Sequence, residues 1–291
     1  MKRPAYVIPR QVFDARIVDA AVAAGAQFER HTVREIHRSG NHIHIDDFRA
    51  RTLIGADGAN SVVRTFLGAK RNPPGHIAIA IRGYAVQPPE AEVLQHLVLA
   101  KNSWPAYAWS FPIGNGLRNV GYGELLRGKP LARAHLLERL NALLPGLGEI
   151  TGLKAHYLPL STWRPPPGRG NILLAGDALS LINPFTGEGI YYALLSGALA
   201  GEAAAMAGPL AAHYYRRTLR GHLARHLRHT TLTAKLAARS WIADAGIRAA
   251  ASDQRVFDTF VELGLGRGTL DAHLLRAVAR PIARRARPSA S

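Results

Sequence analysis

Asn171-Ile-Leu-Leu-Ala-Gly-Asp-Ala-Leu-Ser-Leu-Ile-Asn-Pro-Phe-Thr-Gly-Glu-Gly-Ile190 decides how this chain is organised. An apolar run stops at Gly176-Asp177. A Pro-containing loop follows, then Thr186-Gly187-Glu188-Gly189, then an Ala/Leu/Gly-rich helical stretch. A strand that ends in a glycine and a carboxylate offers an acceptor to a polyol. A glycine turn that opens a helix offers free backbone N–H groups to an anion or an electron-rich ring. Together they outline one side of a nucleotide-type cofactor.

Two further stretches belong with it. Thr52-Leu-Ile-Gly-Ala-Asp-Gly-Ala-Asn-Ser-Val-Val-Arg64 places another carboxylate, Asp57, and Gly58 after a short apolar strand. The bland reading of Asp57-Gly58 is a turn before a capped helix. Pro105-Ala-Tyr-Ala-Trp-Ser-Phe-Pro112 alternates, so Tyr107, Trp109 and Phe111 share one face of a strand. Such a face is either an ordinary sheet core or the wall of a pocket for a hydrophobic substrate.

Around these, Arg10 to Ala24 reads as a helix, with Phe13, Ile17, Ala20, Ala21 and Ala24 at helical spacing. Short strands follow, with residues 27–36 of mixed pattern and 42–46 alternating strictly, and 61–67 open a short helix. From about His76 to Glu124 the pattern is β-rich with Pro/Gly turns, predicting an antiparallel sheet. Arg133 to Leu144 is an amphipathic helix, and Lys154 to Leu160 a strand. Beyond Ile190 the chain reads as helical, with breaks near Gly208-Pro209, Gly246 and 263–268. The basic tail after Arg280 reads as frayed.

The 291 residues are 47% hydrophobic, enough for a large core. The absence of cysteine excludes disulfides, thiolate metal sites and cysteine nucleophiles. No apolar stretch of about 18 residues runs without polar breaks, so no membrane span is expected. Nor is there an apolar segment of secretory type at the start. The formal net charge is +17, and residues 209–291 hold 15 Lys and Arg against 5 Asp and Glu. This basic surface is either a solvated set of helix faces or an attraction to anionic lipid headgroups. Nucleic acid is not expected, because aromatic residues are not interleaved with the arginines. His222, His226 and His229 lie at helical spacing but lack an acidic or thiol companion. They read as a solvated basic face, and no metal site is expected.

These stretches resemble the geranylgeranyl reductase family of FAD-dependent oxidoreductases, with the p-hydroxybenzoate hydroxylase-type fold. The matching pieces are Tyr6-Val-Ile-Pro-Arg10 with Phe13-Asp14, Gly55-Ala-Asp-Gly-Ala-Asn-Ser61 with Arg64, the Tyr-x-Trp-x-Phe-Pro stretch at 107–112, and Gly176 through Ala193. The resemblance implies an α/β (α+β) chain. Residues 1–70 would be a partial FAD-binding domain, and 71–165 an inserted antiparallel-sheet substrate domain. Residues 166–208 would carry the flavin-side motif, and 209–291 a basic helical C-terminal region.

It further implies that Arg10 lies against FAD, and that Asp57 and Gly58 line the channel where FAD meets its reductant. Gly176 and Asp177 would hold the ribityl chain. Pro184, Gly187, Glu188, Gly189 and Ile190 would shape the loop and offer N–H groups to the ring. Tyr107, Trp109, Phe111 and Pro112 would flank an isoprenoid chain. No residue is singled out as catalytic acid. NAD(P)H or another reductant would supply electrons. The expected location is the cytoplasm, peripheral to its membrane where the basic helices touch it. The same-fold alternative is a flavin monooxygenase or halogenase.

One family feature is missing. A strand, Gly-x-Gly-x-x-Gly and a helix should bind the FAD pyrophosphate. Gly114-Asn-Gly116 and Gly264-Leu-Gly-Arg-Gly268 are too short or misplaced for this. The chain therefore reads as lacking a first βαβ unit, with poor FAD affinity and an exposed strand edge expected. A remnant that binds no FAD is the alternative from a different class.

Overall fold

The computed structural model describes residues 6–88, 90, 92–100, 105–128 and 130–285. Of the frayed tail expected after Arg280, residues 281–285 instead continue a helix, and 286–291 lie outside the described residues. Helix α1 (Arg10–Ala23) leads to an antiparallel sheet of β1 (Ile36–Ser39), β2 (His42–Ile45) and β3 (Phe48–Ala50). Strand β4 (Leu53–Gly55) and helix α2 (Val62–Phe66) follow. A five-stranded antiparallel sheet is built from β5 (Ile77–Val86), β6 (His96–Leu99), β7 (Ala106–Gly114), β8 (Leu117–Leu125) and β9 (Thr151–Pro159), in the order β6-β7-β8-β5-β9. Helix α3 (Arg133–Leu143) covers one of its faces.

Alternation explains which face α3 takes. Ile79 and Ile81 on β5, Ala106 and Ala108 on β7, and Tyr122 on β8 are buried together with Leu136 and Leu140 of α3. Those two leucines sit four residues apart, on one side of the helix. Each is fully buried, which contributes roughly 1.5–3 kcal/mol. The residues between them on β5 and β7, including Arg82, Tyr107 and Trp109, face away from α3 and are only half-buried.

Strands β10 (Gly168–Arg169) and β11 (Ile172–Leu174) complete a small sheet with β4, in the order β10-β11-β4. β11 runs parallel to β4 and is buried throughout, as expected of an apolar run covered on both faces. Asn171 ties this sheet to the first one. Its Nδ2 donates to the carbonyls of Asn41 and Arg51, and its Oδ1 accepts from Arg38. A 3-10 turn, Gly176–Leu179, then leads to the glycine loop and helix α4 (Ile190–Ala207).

The C-terminal third is helical: α5 (Ala211–Ala237), α6 (Ser240–Ser252), α7 (Gln254–Leu265) and α8 (Ala272–Arg285). A stretch within Ile190–Ala237 is long and apolar enough to cross a membrane by length and composition, which the sequence did not suggest. Within it, α4 turns Tyr192, Ser196, Leu199, Ala200 and Ala203 into the protein.

Four expectations are corrected. The 27–36 segment forms no strand before Ile36. Gly246 lies inside α6 rather than at a break, where its bare Cα faces the Phe260 ring. The apolar spacing on α1 buries nothing: Val12, Ile17 and Val22 are exposed, and only Phe13 is half-buried. The histidines of α5 are not a solvated face. His226 is buried and His229 half-buried, because α7 and the segment after it lie on that side of α5.

Candidate active site

The loop between the 3-10 turn and α4 is held from beneath by Asn183, which is fully buried. Its Oδ1 accepts from the Phe185 N–H, and its carbonyl accepts from the Gly187 N–H at 2.9 Å. Its Nδ2 donates to the Tyr192 hydroxyl at 2.9 Å, and to the carbonyls of Leu263 and Gly264. The Tyr192 hydroxyl meets His226 Nε2 at 2.6 Å, and His226 Nδ1 meets the Gly268 carbonyl at 2.6 Å. A carbonyl can only accept, so His226 carries its proton on Nδ1, and Nε2 accepts from Tyr192. Burial, more than any other influence, holds His226 below its ordinary pKa, in keeping with a neutral ring. Thr186 adds a bond to the Gly264 carbonyl. The glycine loop is thus clamped to the end of α7.

Above this clamp lies Asp177, partly buried at the start of the 3-10 turn. Burial pushes its carboxyl up to about 6, Arg10 pulls it down, and Glu188 adds to the rise. Its carboxylate accepts no hydrogen bond among the described residues. Around it the backbone is bare. Gly176 and Gly187 have φ of +56° and +74°. A Cβ on Gly189 would stand 3.5 Å from Asp177 Oδ1, and one on Gly187 3.3 Å from the Tyr107 hydroxyl. Side chains there would fill the space in front of the carboxylate. Pro184 is buried beneath the loop.

Strand β7 forms the facing wall. The Tyr107 hydroxyl donates to the Thr186 carbonyl, joining wall to loop. Burial first, and Glu188 second, raise that phenol to about 12. The Tyr107 and Trp109 rings lie 5.9 Å apart. Trp109 pairs with Gly121 across the sheet. Its indole lies over that glycine, where a Cβ would come within 2.2 Å of the ring. Trp109 Nε1 donates to Asn119 at 2.9 Å. Phe111 and Pro112 continue the strand, half-buried.

Not every expected site residue points at this space. Asp57 caps α2: its carboxylate accepts from the Ser61 hydroxyl and from the Val62 and Val63 N–H groups. This is the turn-and-cap arrangement that Asp57-Gly58 also allowed. Gly58, at φ +76°, makes that turn. Glu188 occupies the α4 terminus, its Oε1 accepting from the Ile190 and Tyr191 N–H groups. Of the loop N–H groups expected to be open, those of Gly187, Glu188 and Ile190 are therefore engaged, by the Asn183 carbonyl, Thr186 Oγ1 and Glu188 Oε1. Arg10 pairs with Asp14 at 2.8 Å, exposed.

Sequence reasoning missed a second buried network. Arg64, 2% exposed, donates to Ser180, whose hydroxyl donates to Asn72 Oδ1 at 2.7 Å. Asn72 Nδ2 reaches the carbonyls of His76, Leu160 and Trp163. It joins α2, the 3-10 turn and the base of the large sheet. Ser180 takes φ +57° there.

The donor set suits the ribityl and ring part of a flavin: a free carboxylate acceptor, bare glycine backbone on two sides, and an aromatic wall. Among solved structures, a geranylgeranyl bacteriochlorophyll reductase-like protein from Thermoplasma acidophilum superposes with TM-score 0.71. It covers 93% of this chain and 71% of that one at 21% identity. A flavin-dependent halogenase gives 0.58 at 15% identity. The fold is that of the FAD-dependent oxidoreductases and monooxygenases.

No family model matches the chain. Among curated proteins it is 33% identical over 229 residues to a menaquinone reductase of Mycolicibacterium smegmatis, covering 67% of this chain and 53% of that protein. It is 31% identical over 223 residues to digeranylgeranylglycerophospholipid reductase 2 of Methanopyrus kandleri, covering 69% and 56%. The chain belongs to the geranylgeranyl reductase family. It spans about half the length of the curated relatives it matches.

Proposed function

We propose that the protein is an FAD-dependent oxidoreductase that reduces C=C bonds in an isoprenoid chain carried on a lipid, quinone or pigment precursor. The observation that carries this reading is the juxtaposition of the Asp177 cradle with the Tyr107–Trp109 wall, joined through the Thr186 carbonyl. FAD, when bound, supplies the hydride chemistry.

The chain's own groups bind and orient. Asp177 accepts from polyol hydroxyls. Gly187 and Gly189 leave the loop free of side chains for a flat ring. The Asn183 network fixes the loop so that this geometry exists before binding. Tyr107, Trp109 and Phe111 exclude water from the space beside the ring and seat an apolar chain. Arg10 stands near enough to Asp177 to lower its pKa, so it can turn toward an anionic part of the cofactor. Gly58, in the turn that Asp57 holds, borders the approach of the reductant, NAD(P)H being the proposed donor. On this reading residues 71–165 are the substrate unit, and 1–70 with 166–208 the cofactor unit. Residues 209–291 lay their basic helices on an anionic membrane surface, at the cytoplasmic side. Loss of sedimentation with anionic liposomes would remove that last part.

The experiment is flavin retention. The purified chain is mixed with FAD, passed over a sizing column and scanned for flavin absorbance. Retained flavin that is lost in Asp177→Ala supports the cradle; unchanged retention in the variant sinks the role of Asp177. No retained flavin in the parent would leave a remnant that binds no cofactor. Anaerobic reduction of a polyprenyl double bond is the activity expected. Oxygen-dependent consumption of NADPH with an aromatic substrate would instead favour monooxygenase chemistry.

A further inference from the structure

Two histidines of α5 hold the segment that follows α7, and each does so only when uncharged. His226 donates from Nδ1 to the Gly268 carbonyl and accepts the Tyr192 hydroxyl on Nε2, both at 2.6 Å. His229, on the next turn of the helix, accepts the Leu270 N–H on Nδ1 at 2.9 Å. A backbone N–H can only donate, so this nitrogen carries no proton. A second proton on either ring turns an acceptor into a donor. At His229 it sets two donors face to face. At His226 it forces the Tyr192 hydroxyl to turn its own hydrogen away, while Asn183 Nδ2 already donates to that oxygen. Tyr192 is fully buried, so the displaced hydrogen meets no water, and an orphaned buried donor is costly.

The surroundings favour the uncharged rings. Burial first holds His226 below its ordinary pKa; the Gly268 bond opposes this and His229 adds to it. Burial, then Arg225 and Arg228 of α5, do the same to His229. Neither ring is paired with a carboxylate among the described residues. Glu262 and Arg267, on α7 and just beyond it, act on Tyr191, and Glu188 of the loop acts on Tyr192. Asp271, next to Leu270, is engaged by Arg255 and by the Leu274 N–H. The route to the cradle is short. Asn183 links Tyr192 to the Leu263 and Gly264 carbonyls and to the Phe185 and Gly187 N–H groups of the loop.

We propose that His226 and His229 form an acid-sensitive latch on the glycine loop: uncharged, they pin the segment after α7 and keep Tyr192 bonded to Asn183, and on taking up a proton either one lets go. The closed chain binds these protons more weakly than the opened chain, whose histidines return to the ordinary 6.5. The latch is therefore complete above about pH 6.5 and weakens as pH falls below it. Asp177, whose burial favours its protonated form, changes stability in the opposite direction, so loosening in acid separates the histidines from it. The latch belongs to the chain itself; that it governs cofactor retention rests on the flavin reading above.

The test is hydrogen exchange of the cofactor-free chain, read by mass spectrometry on peptides covering 183–192 and 263–271 and corrected for intrinsic exchange rates. From about pH 7.5 to about pH 5.5, protection in both should fall by about tenfold or more. The variant His226→Gln/His229→Asn keeps hydrogen-bonding amides at both positions without a titratable ring. It should lose less than about threefold over the same range. Unchanged protection in the parent, or an equal fall in the variant, overturns the latch. So does a parallel fall across α3, which marks general unfolding. Where the double variant does not fold, the single substitutions decide: each should remove part of the fall, and a full fall in both overturns the proposal. Flavin retention at about pH 5.5 should be greater in the variant than in the parent. Equal retention overturns the link to the cofactor. Flavin held by neither protein at any pH sinks the flavin reading, and the exchange result then stands on its own.

Discussion

Helices α1 and α4 have much in common on paper. Both are rich in alanine and short aliphatic residues, and both adjoin stretches that carry the family resemblance. In the structure they part company. α1 buries no residue. α4 buries five, opens on a loop clamped by Asn183, and accepts the Gly176 N–H on its Ser196 hydroxyl oxygen at 2.9 Å. The difference teaches that a helical face acquires meaning only from what is placed against it. α4 has β4, the 3-10 turn and α5 around it, whereas α1 half-buries only its own Phe13. The cofactor-side loop is consequently held by several distant segments, while Arg10 at the head of α1 is exposed and, among the described residues, pairs with Asp14.

This contrast can be broken at several points. The largest effect should come from Asn183→Ala, which orphans buried partners on the loop, α4 and α7. A loss of about 3 kcal/mol is expected in urea unfolding. A loss below about 1 kcal/mol would show that the clamp does not hold the loop. Next is Gly121→Ala, which drives a methyl into the Trp109 ring and toward the Ile81 carbonyl. About 2 kcal/mol should be lost, along with affinity for a prenyl alcohol; intact affinity would detach Trp109 from the pocket.

Asp177 sharpens the comparison through pH. Its folded pKa of about 6 lies above the ordinary 3.8. The folded chain therefore holds that proton more tightly than the unfolded chain, and stability falls as pH rises from about 4 to about 6. Asp177→Asn should match the parent at pH 4 and exceed it by about 1–2 kcal/mol at pH 7. Parallel stability curves for the two would refute the buried-carboxylate account. The smallest effect belongs to α1. Ile17→Ser, at an exposed position, should change stability by less than about 0.5 kcal/mol. A larger loss would mean that α1 is packed in solution after all.

Much of the cradle was legible because its signals are local. A strand ending at Gly176-Asp177, glycines at 187 and 189, and alternation over 106–111 each declare themselves within a few residues. The clamp was not legible, because its members come from distant parts of the chain: Tyr192 and His226 lie 34 residues apart, Asn183 and Leu263 80. The Arg64–Ser180 contact spans 116. Nothing local distinguishes His226, buried and neutral, from His222 one turn earlier on the same helix and exposed. The two acidic caps were half legible. A carboxylate before a helix announces itself, but whether it meets a ligand or its own helix depends on side-chain placement, and Asp57 and Glu188 both turned inward.

By itself the sequence determined the order of elements, the sheet alternation that sets an aromatic wall on one face of β7, and the glycine and carboxylate residues of the cradle. Short-range sterics and periodicity suffice for these. Only the tertiary structure decided that Asp177 would stand free while Asp57 and Glu188 would not, and that α7 would hold the loop. It alone brought Gly268 and Leu270 against His226 and His229. Hydrogen-bond satisfaction, burial and strand register depend on which distant segments meet, and no local pattern encodes that.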